Sequence, residues 1–220
     1  PVSCDVQAVT VRQEQTDIRV FTHNEQAVLC RHLLSNFSLK NAGILLCLFT
    51  GIRVGELCAL RWENICLQDR VLCVQHTMQR IQTDMPSDQK TKVMITSPKS
   101  KHSIRVIPLP EDFAKLLASI QPESSSGFFL TGREHHWVEP RSMQNHFKRV
   151  LQCCAIAPAN FHALRHTFAT RCVELGFDLK SLSEILGHAN VNITMNRYVH
   201  PSMELKRDHM QKLSSLFAVK

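Results

Sequence analysis

A small set of side chains in this sequence has the chemistry to grip and attack a phosphate ester. In Phe161-His162-Ala163-Leu164-Arg165-His166-Thr167 an imidazole and a guanidinium stand three residues apart. On a helix they share a face, so a proton-transferring group and a fixed cation would project together. Taken alone, the pair would be equally at home on the surface of an ordinary helix. His162 and His166, four apart, also have the ligand spacing of the zinc motif HExxH. However, Ala163 stands where the metalloprotease base would be, and no carboxylate follows close by as a third ligand. Arg53 follows Thr50-Gly51-Ile52 in an apolar neighbourhood of Leu48, Phe49, Val54 and Leu57. A guanidinium leaving such surroundings needs a partner, because an unpaired buried charge costs several kcal/mol. Glu56 is in reach, either as a structural ion pair or as the group that orients Arg53 toward two phosphate oxygens. Further on, Leu186-Gly187-His188 leads to Tyr198, the one tyrosine of the chain. Residues 179–198 read either as a helix-turn-helix with Tyr198 as an incidental aromatic, or as the bearer of a phosphodiester nucleophile.

Composition narrows the setting for such chemistry. Twenty-six Lys and Arg against 19 Asp and Glu, with 12 His, give a formal charge of +7, which favours a polyanionic partner, nucleic acid first. The 220 residues, 44% hydrophobic and 20% charged, suit one globular domain with a sizeable core. No run approaches the length of a membrane span, and residues 1–20 have no continuous apolar segment of the signal-peptide kind. The nine cysteines are odd in number, form no CxxC pair and mostly sit in apolar runs such as Leu46-Cys47-Leu48. They read as buried thiols of a cytoplasmic protein, with neither disulfides nor a zinc site.

The elements that must position these groups are mostly helical. Leu29, Leu33 and Phe37 recur at spacing four, residues 40–50 are apolar nearly all round, and a further helix is expected from Val54 to about Trp62. Residues 70–82, 92–97 and 104–107 are rich in Val, Ile and Thr and predict one short antiparallel sheet with a hairpin tip at 99–103. From Gln89 to Pro110 the chain carries five Lys or Arg and no acid. A phosphate backbone would be felt most strongly there, with Lys101 and Arg105 as expected DNA contacts. Helices are then expected at 110–121, 140–154, 162–175, 179–186, 191–198 and 201–217, the last with an apolar stripe of Met203, Met210, Leu213 and Phe217. The fold class is α+β, mainly helical with one small antiparallel sheet and hairpin. Residues 1–21 are expected to be a linker and 22–220 the domain.

Thr50-Gly51-Ile52-Arg53-Val54-Gly55-Glu56-Leu57, the basic segment at Lys99, His162-Ala-Leu-Arg165-His166-Thr167, Leu186-Gly187-His188 and Tyr198 occur in the order of the tyrosine recombinases. Over about residues 22–218 the chain resembles the catalytic domain of that phage integrase family, most of all integrases of conjugative transposons and prophages. The resemblance implies that Tyr198 attacks a DNA phosphorus to form a 3′-phosphotyrosine, without metal, ATP or other cofactor. It also implies that Arg53 and Arg165 hold the non-bridging oxygens, that His162 assists the tyrosine, and that His188 donates to the phosphate. A hairpin lysine, Lys99 in preference to Lys101, would protonate the leaving 5′-oxygen. Double-stranded attachment sites, a tetramer on DNA with C-terminal helix exchange, and a missing N-terminal core-binding domain preceding residues 1–21 belong to the same expectation. The alternatives are a helix-turn-helix regulator without catalysis and a type IB topoisomerase, which uses a similar residue set.

Overall fold

The computed structural model describes residues 19–82, 91–98 and 101–199, together with Arg207, Met210 and Gln211. The buried centre is α2 (Leu39–Thr50), whose Ala42, Ile44, Leu45, Leu46, Cys47 and Leu48 are all inaccessible, as its uninterrupted apolar sequence requires. Ser38 caps its start and Gly51 ends it in a left-handed conformation, φ 66°. Before it, α1 (His23–Ser35) opens on a Thr22–Glu25 capping box and buries Leu29 and Leu33, whereas Phe37 lies beyond the helix and is part-exposed. Packing starts ahead of the expected boundary at residue 22. Phe21 is fully buried, its N–H donates to Thr167 Oγ1 (2.9 Å), and its carbonyl accepts from Arg171 Nη2 (2.6 Å).

The helix expected from Val54 to Trp62 is shorter. α3 (Val54–Ala59) stops because the next residues pair with a distant segment: Leu60 C=O accepts from Phe129 N–H, Trp62 N–H donates to Gly127 C=O, and Arg61 bridges Phe128. The sheet also differs from expectation. β1 (Ile65–Cys66), β2 (Val71–Val74) and β5 (Arg105–Pro108) form one antiparallel sheet, ordered β1-β2-β5. β3 (Thr77–Gln82) and β4 (Thr91–Thr96) form a separate two-stranded one. β4 pairs with β3 from Thr77↔Thr96 to Gln82↔Thr91, and β5 pairs with β2, Leu72 opposite Ile107. β4 and β5, which flank the expected hairpin tip at 99–103, therefore pair with different strands and not with each other; Lys99 and Ser100 lie outside the described residues. The break falls at exposed Gln75 and His76, which interrupt a β-prone run.

The remaining helices follow the expected order: α4 (Glu111–Ala118), α5 (Pro140–Cys153), α6 (Ala163–Glu174), α7 (Leu179–Leu186) and α8 (Val191–Tyr198). Of the segment expected to be helical at 201–217, only Arg207, Met210 and Gln211 are described; Met203, Leu213 and Phe217 lie outside the described residues. No described helix is long and apolar enough to cross a membrane. Cys47, Cys58 and Cys172 are buried free thiols, but Cys153 is exposed, so the thiols are not uniformly interior.

Candidate active site

Arg165, on α6, is the anchor of the site. Its side chain is 2% exposed, and Nη1 and Nη2 donate to Gly51 C=O and Leu186 C=O, each at 2.7 Å. Those carbonyls lie at the ends of α2 and α7, where the helix dipole concentrates negative partial charge. The guanidinium is thus fixed by two helix termini and not by a carboxylate. Gly51 makes this possible: a Cβ there would sit 2.6 Å from Phe168 Cδ1 and 2.9 Å from Leu186 Cδ2. Burial, then Arg53, pushes the Arg165 pKa down, which marks a pocket with cations in excess, and an anion placed between them would relieve it.

Arg53 N-caps α3, and its Nη1 donates to Glu56 Oε1 (2.8 Å) while its backbone N–H donates to Oε2 (2.8 Å). Glu56 is shared. Arg105 Nη2 and Nη1 donate to Glu56 Oε2 and Oε1 at 2.9 and 3.1 Å, and Arg105 Nε donates to Ile185 C=O (2.5 Å). The surface DNA contact expected of Arg105 is corrected by this geometry, for its side chain is 5% exposed. Strand alternation is the reason: Arg105 and Ile107 face inward while Val106 faces out. Burial raises the Glu56 pKa, but Arg105 and Arg53 outweigh it and hold the carboxyl below its usual value.

Three histidines and the tyrosine complete the site. Arg53, His162 and Arg165 line one cavity of about 390 Å³, with Thr77, Gln144 and Asn160 around them. His162 caps α6, open to solvent on one side, and its ring meets that of His166 edge to face at 4.5 Å. Tyr198, 7% exposed, closes the series: its Oη lies 2.9 Å from His166 Nδ1. His188 Nδ1 lies 2.7 Å from Thr194 Oγ1. Crowding by protein, then the cations nearby, pushes His162 and His166 down to about 4 and His188 to about 3, so all three are neutral at pH 7. Burial raises the Tyr198 pKa, opposed by Arg165 and Arg197.

The structure therefore brings Arg53, Glu56, His162, Arg165, His188 and Tyr198 into one region, linked to the tyrosine through His166. Lys99 lies outside the described residues, and Lys101 is described only as backbone of a 3₁₀ turn, Lys101–Ser103. In the sequence, His166 stands as a possible metal ligand and as part of the His162–Thr167 motif, with no role of its own. Among the described residues no group of three His, Cys, Asp or Glu could hold a metal ion. The spacing of four from His162 was the signal for His166, but the position of Tyr198 was needed to interpret it.

The profile described as the phage integrase family matches residues 19–204. The chain belongs to the phage integrase family. It is 30% identical over 219 residues to the "Tyrosine recombinase XerC-like" of Caldanaerobacter subterraneus subsp. tengcongensis, covering 92% of this chain and 56% of that protein. The "Transposase from transposon Tn916" of Enterococcus faecalis is 26% identical over 190 residues, 78% of this chain and 44% of that one. The chain thus spans about half the length of the curated relatives it matches. Among solved structures, the Tn1549 transposon integrase in complex with transposon right end DNA superposes with a TM-score of 0.73 at 23% identity, over 96% of this chain and 71% of that one. The catalytic domain of bacteriophage HP1 integrase gives 0.57 at 16%, over 90% and 95%. At these identities the likeness establishes the fold: this integrase-family chain has the architecture of a tyrosine recombinase catalytic domain.

Proposed function

We propose that the chain is the catalytic part of a site-specific DNA recombinase or integrase that cleaves and rejoins DNA through a covalent phosphotyrosine, in the cytoplasm, without metal or ATP. The observation carrying this reading is the pair of guanidiniums, Arg165 held by two helix termini and Arg53 by Glu56, lining one cavity with the only tyrosine attached to its wall through His166 and His162. In the proposed reaction Tyr198 Oη forms a bond to phosphorus and the P–O5′ bond breaks. The tyrosine proton passes to a histidine of the site, and a lysine, Lys99 by the family pattern, gives a proton to the leaving 5′-oxygen. Arg53, Arg165 and His188 stabilise the charge that gathers on the non-bridging oxygens. The ester bond energy stays in the Tyr198–phosphate link, so the reversal by a 5′-hydroxyl needs no nucleotide. Lys101 is kept as a DNA contact near that lysine. The helix-turn-helix reading is disfavoured because Tyr198, at the end of α8, is turned inward to His166 and is not on an exposed recognition face.

A partner surface accompanies the site. An apolar groove of about 1170 Å³ runs between α1, α2, β5 and α6, lined by Phe49, Leu109, Phe168, Leu175 and Phe177 among others. We assign it to the C-terminal segment of a neighbouring protomer in a tetramer on double-stranded DNA, which the stripe of Met203, Met210, Leu213 and Phe217 would suit.

Covalent capture tests the reading. The whole protein, expressed in its own host, is extracted under denaturing conditions, and the DNA that remains attached is sequenced. The expected result is a defined junction sequence on wild type and none on Tyr198→Phe, with peptide mapping placing the adduct on Tyr198. DNA that binds without ever becoming covalent would return the regulator reading, and relaxation of supercoils without strand exchange would favour a topoisomerase.

A further inference from the structure

We propose that His166 is a catalytic residue of this chain: it positions the Tyr198 hydroxyl and receives its proton as the bond to phosphorus forms. The inference rests on the recombinase reading and assigns a step within it. Geometry carries it. Among the described residues, the imidazole within hydrogen-bonding distance of Tyr198 Oη is that of His166, at 2.9 Å, and the other two histidines of the site are engaged differently. The His162 ring packs edge to face on that of His166, and His188 Nδ1 is held by Thr194. A proton acceptor has to lie within about 2.6–3.2 Å of the proton it takes. His166 satisfies that condition with Tyr198 in place on its own chain.

The local fold gives reasons for the contact. His166 N–H donates to His162 C=O in the first turn of α6, so the two rings stand one above the other on the face turned to α8. Tyr198 is the last residue of α8, and its ring lies 5.8 Å from that of His166 at 53°. The charged and titratable groups facing His166 are Arg165 and His162 from α6 and its flank, and Arg197 and Tyr198 from α8. Burial and the two arginines keep the imidazole neutral, which is the state that can accept a proton. A phosphodiester bound by Arg165 and Arg53 would cancel part of that positive field and raise the basicity of His166 when the proton has to move. The step balances: Tyr198 Oη loses a proton to His166 Nδ1 and gains the bond to phosphorus. P–O5′ breaks with the proton supplied from elsewhere, and in the reverse step the imidazolium returns its proton to Oη.

The test uses the whole protein and a nicked duplex carrying the sequence recovered by covalent capture, with adduct formation followed in a single turnover. His166→Ala and His166→Gln are both expected to slow adduct formation by about 100-fold or more, because general base catalysis commonly supplies 10² to 10⁴. Glutamine can keep a hydrogen bond to Tyr198 Oη but cannot take the proton, so its loss separates proton transfer from positioning. Added imidazole should restore much of the rate of His166→Ala, with a pH midpoint at that of imidazole itself. The loss should persist on a duplex with sulfur as the 5′ leaving atom, since that substitution relieves only the acid. Adduct formation by His166→Gln within about threefold of wild type would overturn proton transfer. A loss in His166→Ala that imidazole does not restore, in a variant that melts and binds DNA like wild type, would overturn it too. If wild type itself forms no adduct, the recombinase reading has failed, whereas a reactive wild type beside equally reactive His166 variants removes only the role of His166.

Discussion

At the scale of single residues, Glu56 carries the heaviest electrostatic duty, one carboxylate shared by Arg53 and Arg105 while 4% exposed. Glu56→Gln leaves Arg105 charged and interior without its counter-ion, which should lower stability by about 3–5 kcal/mol, read from the urea midpoint. The pH profile has the same origin. Because the folded pKa of Glu56 is depressed, its contribution is complete above the unfolded value of 4.5 and disappears as pH falls through the lower folded value. His166 and His188 act in a higher window. Held neutral in the fold at about 4 and about 3, they take up protons on unfolding from about pH 6.5 downward. Stability should therefore decline from pH 6.5 toward 4, before Glu56 titrates. Melting temperatures of wild type and His188→Gln across pH 4–8 check this: the slope between 6.5 and 4 should be shallower in the variant, and equal slopes would exclude His188 as a contributor. The types of these residues were legible in the sequence. Arg53–Glu56 followed from spacing, but the second guanidinium on Glu56 comes from a strand 49 residues away and no local pattern could supply it.

At the scale of elements, the site is built from helix ends. The carbonyl of Gly51 terminates α2, that of Leu186 terminates α7, and Arg165 joins them across α6. Gly51→Ala should therefore act beyond its own turn. The left-handed φ and the contact with Phe168 and Leu186 should cost about 1–3 kcal/mol. The displaced carbonyl should also loosen Arg165 and slow adduct formation. A variant that loses stability but keeps the wild-type single-turnover rate would sever that link. The same scale explains what the sequence concealed. Helical periodicity placed α2 and α4 to α8 nearly at their boundaries, because that signal is local, while the α1 stripe extends in the sequence to Phe37, past the helix end at Ser35. The end of α3 and the division of the strands depend on pairing with residues 127–129 and 105–108, so propensity alone read them as a longer helix and a single sheet. The inward side of Arg105 was visible in its alternation with Ile107, but a charge in a basic stretch suggested the surface.

At the scale of the whole molecule, the proposed reaction and the proposed assembly fall on different cavities, and they should be separable by mutation. Leu175 and Phe177 are 76% and 44% exposed beside the apolar groove, while Arg53 and Arg165 line the other cavity and Tyr198 is joined to its edge through His166 and His162. Exposed aromatic and aliphatic side chains around a groove of this kind mark a surface for apolar docking. If the C-terminal segment of a neighbour fills it, a peptide spanning residues 201–217 should bind this chain, and Phe177→Lys should weaken it by about tenfold or more, measured by fluorescence anisotropy. The same variant should still form the phosphotyrosyl adduct on a single site, because Phe177 lines the apolar groove and is not among the residues lining the cavity of Arg53, His162 and Arg165. Its assembly on DNA, followed by sedimentation, should stop short of the wild-type species. Charge predicts the opposite partition for the proposed phosphate clamps: Arg53→Ala should reduce adduct formation while leaving peptide binding intact. Failure of the peptide to bind, with assembly of Phe177→Lys unchanged, would remove the groove from the account of the tetramer and leave the active site as it stands.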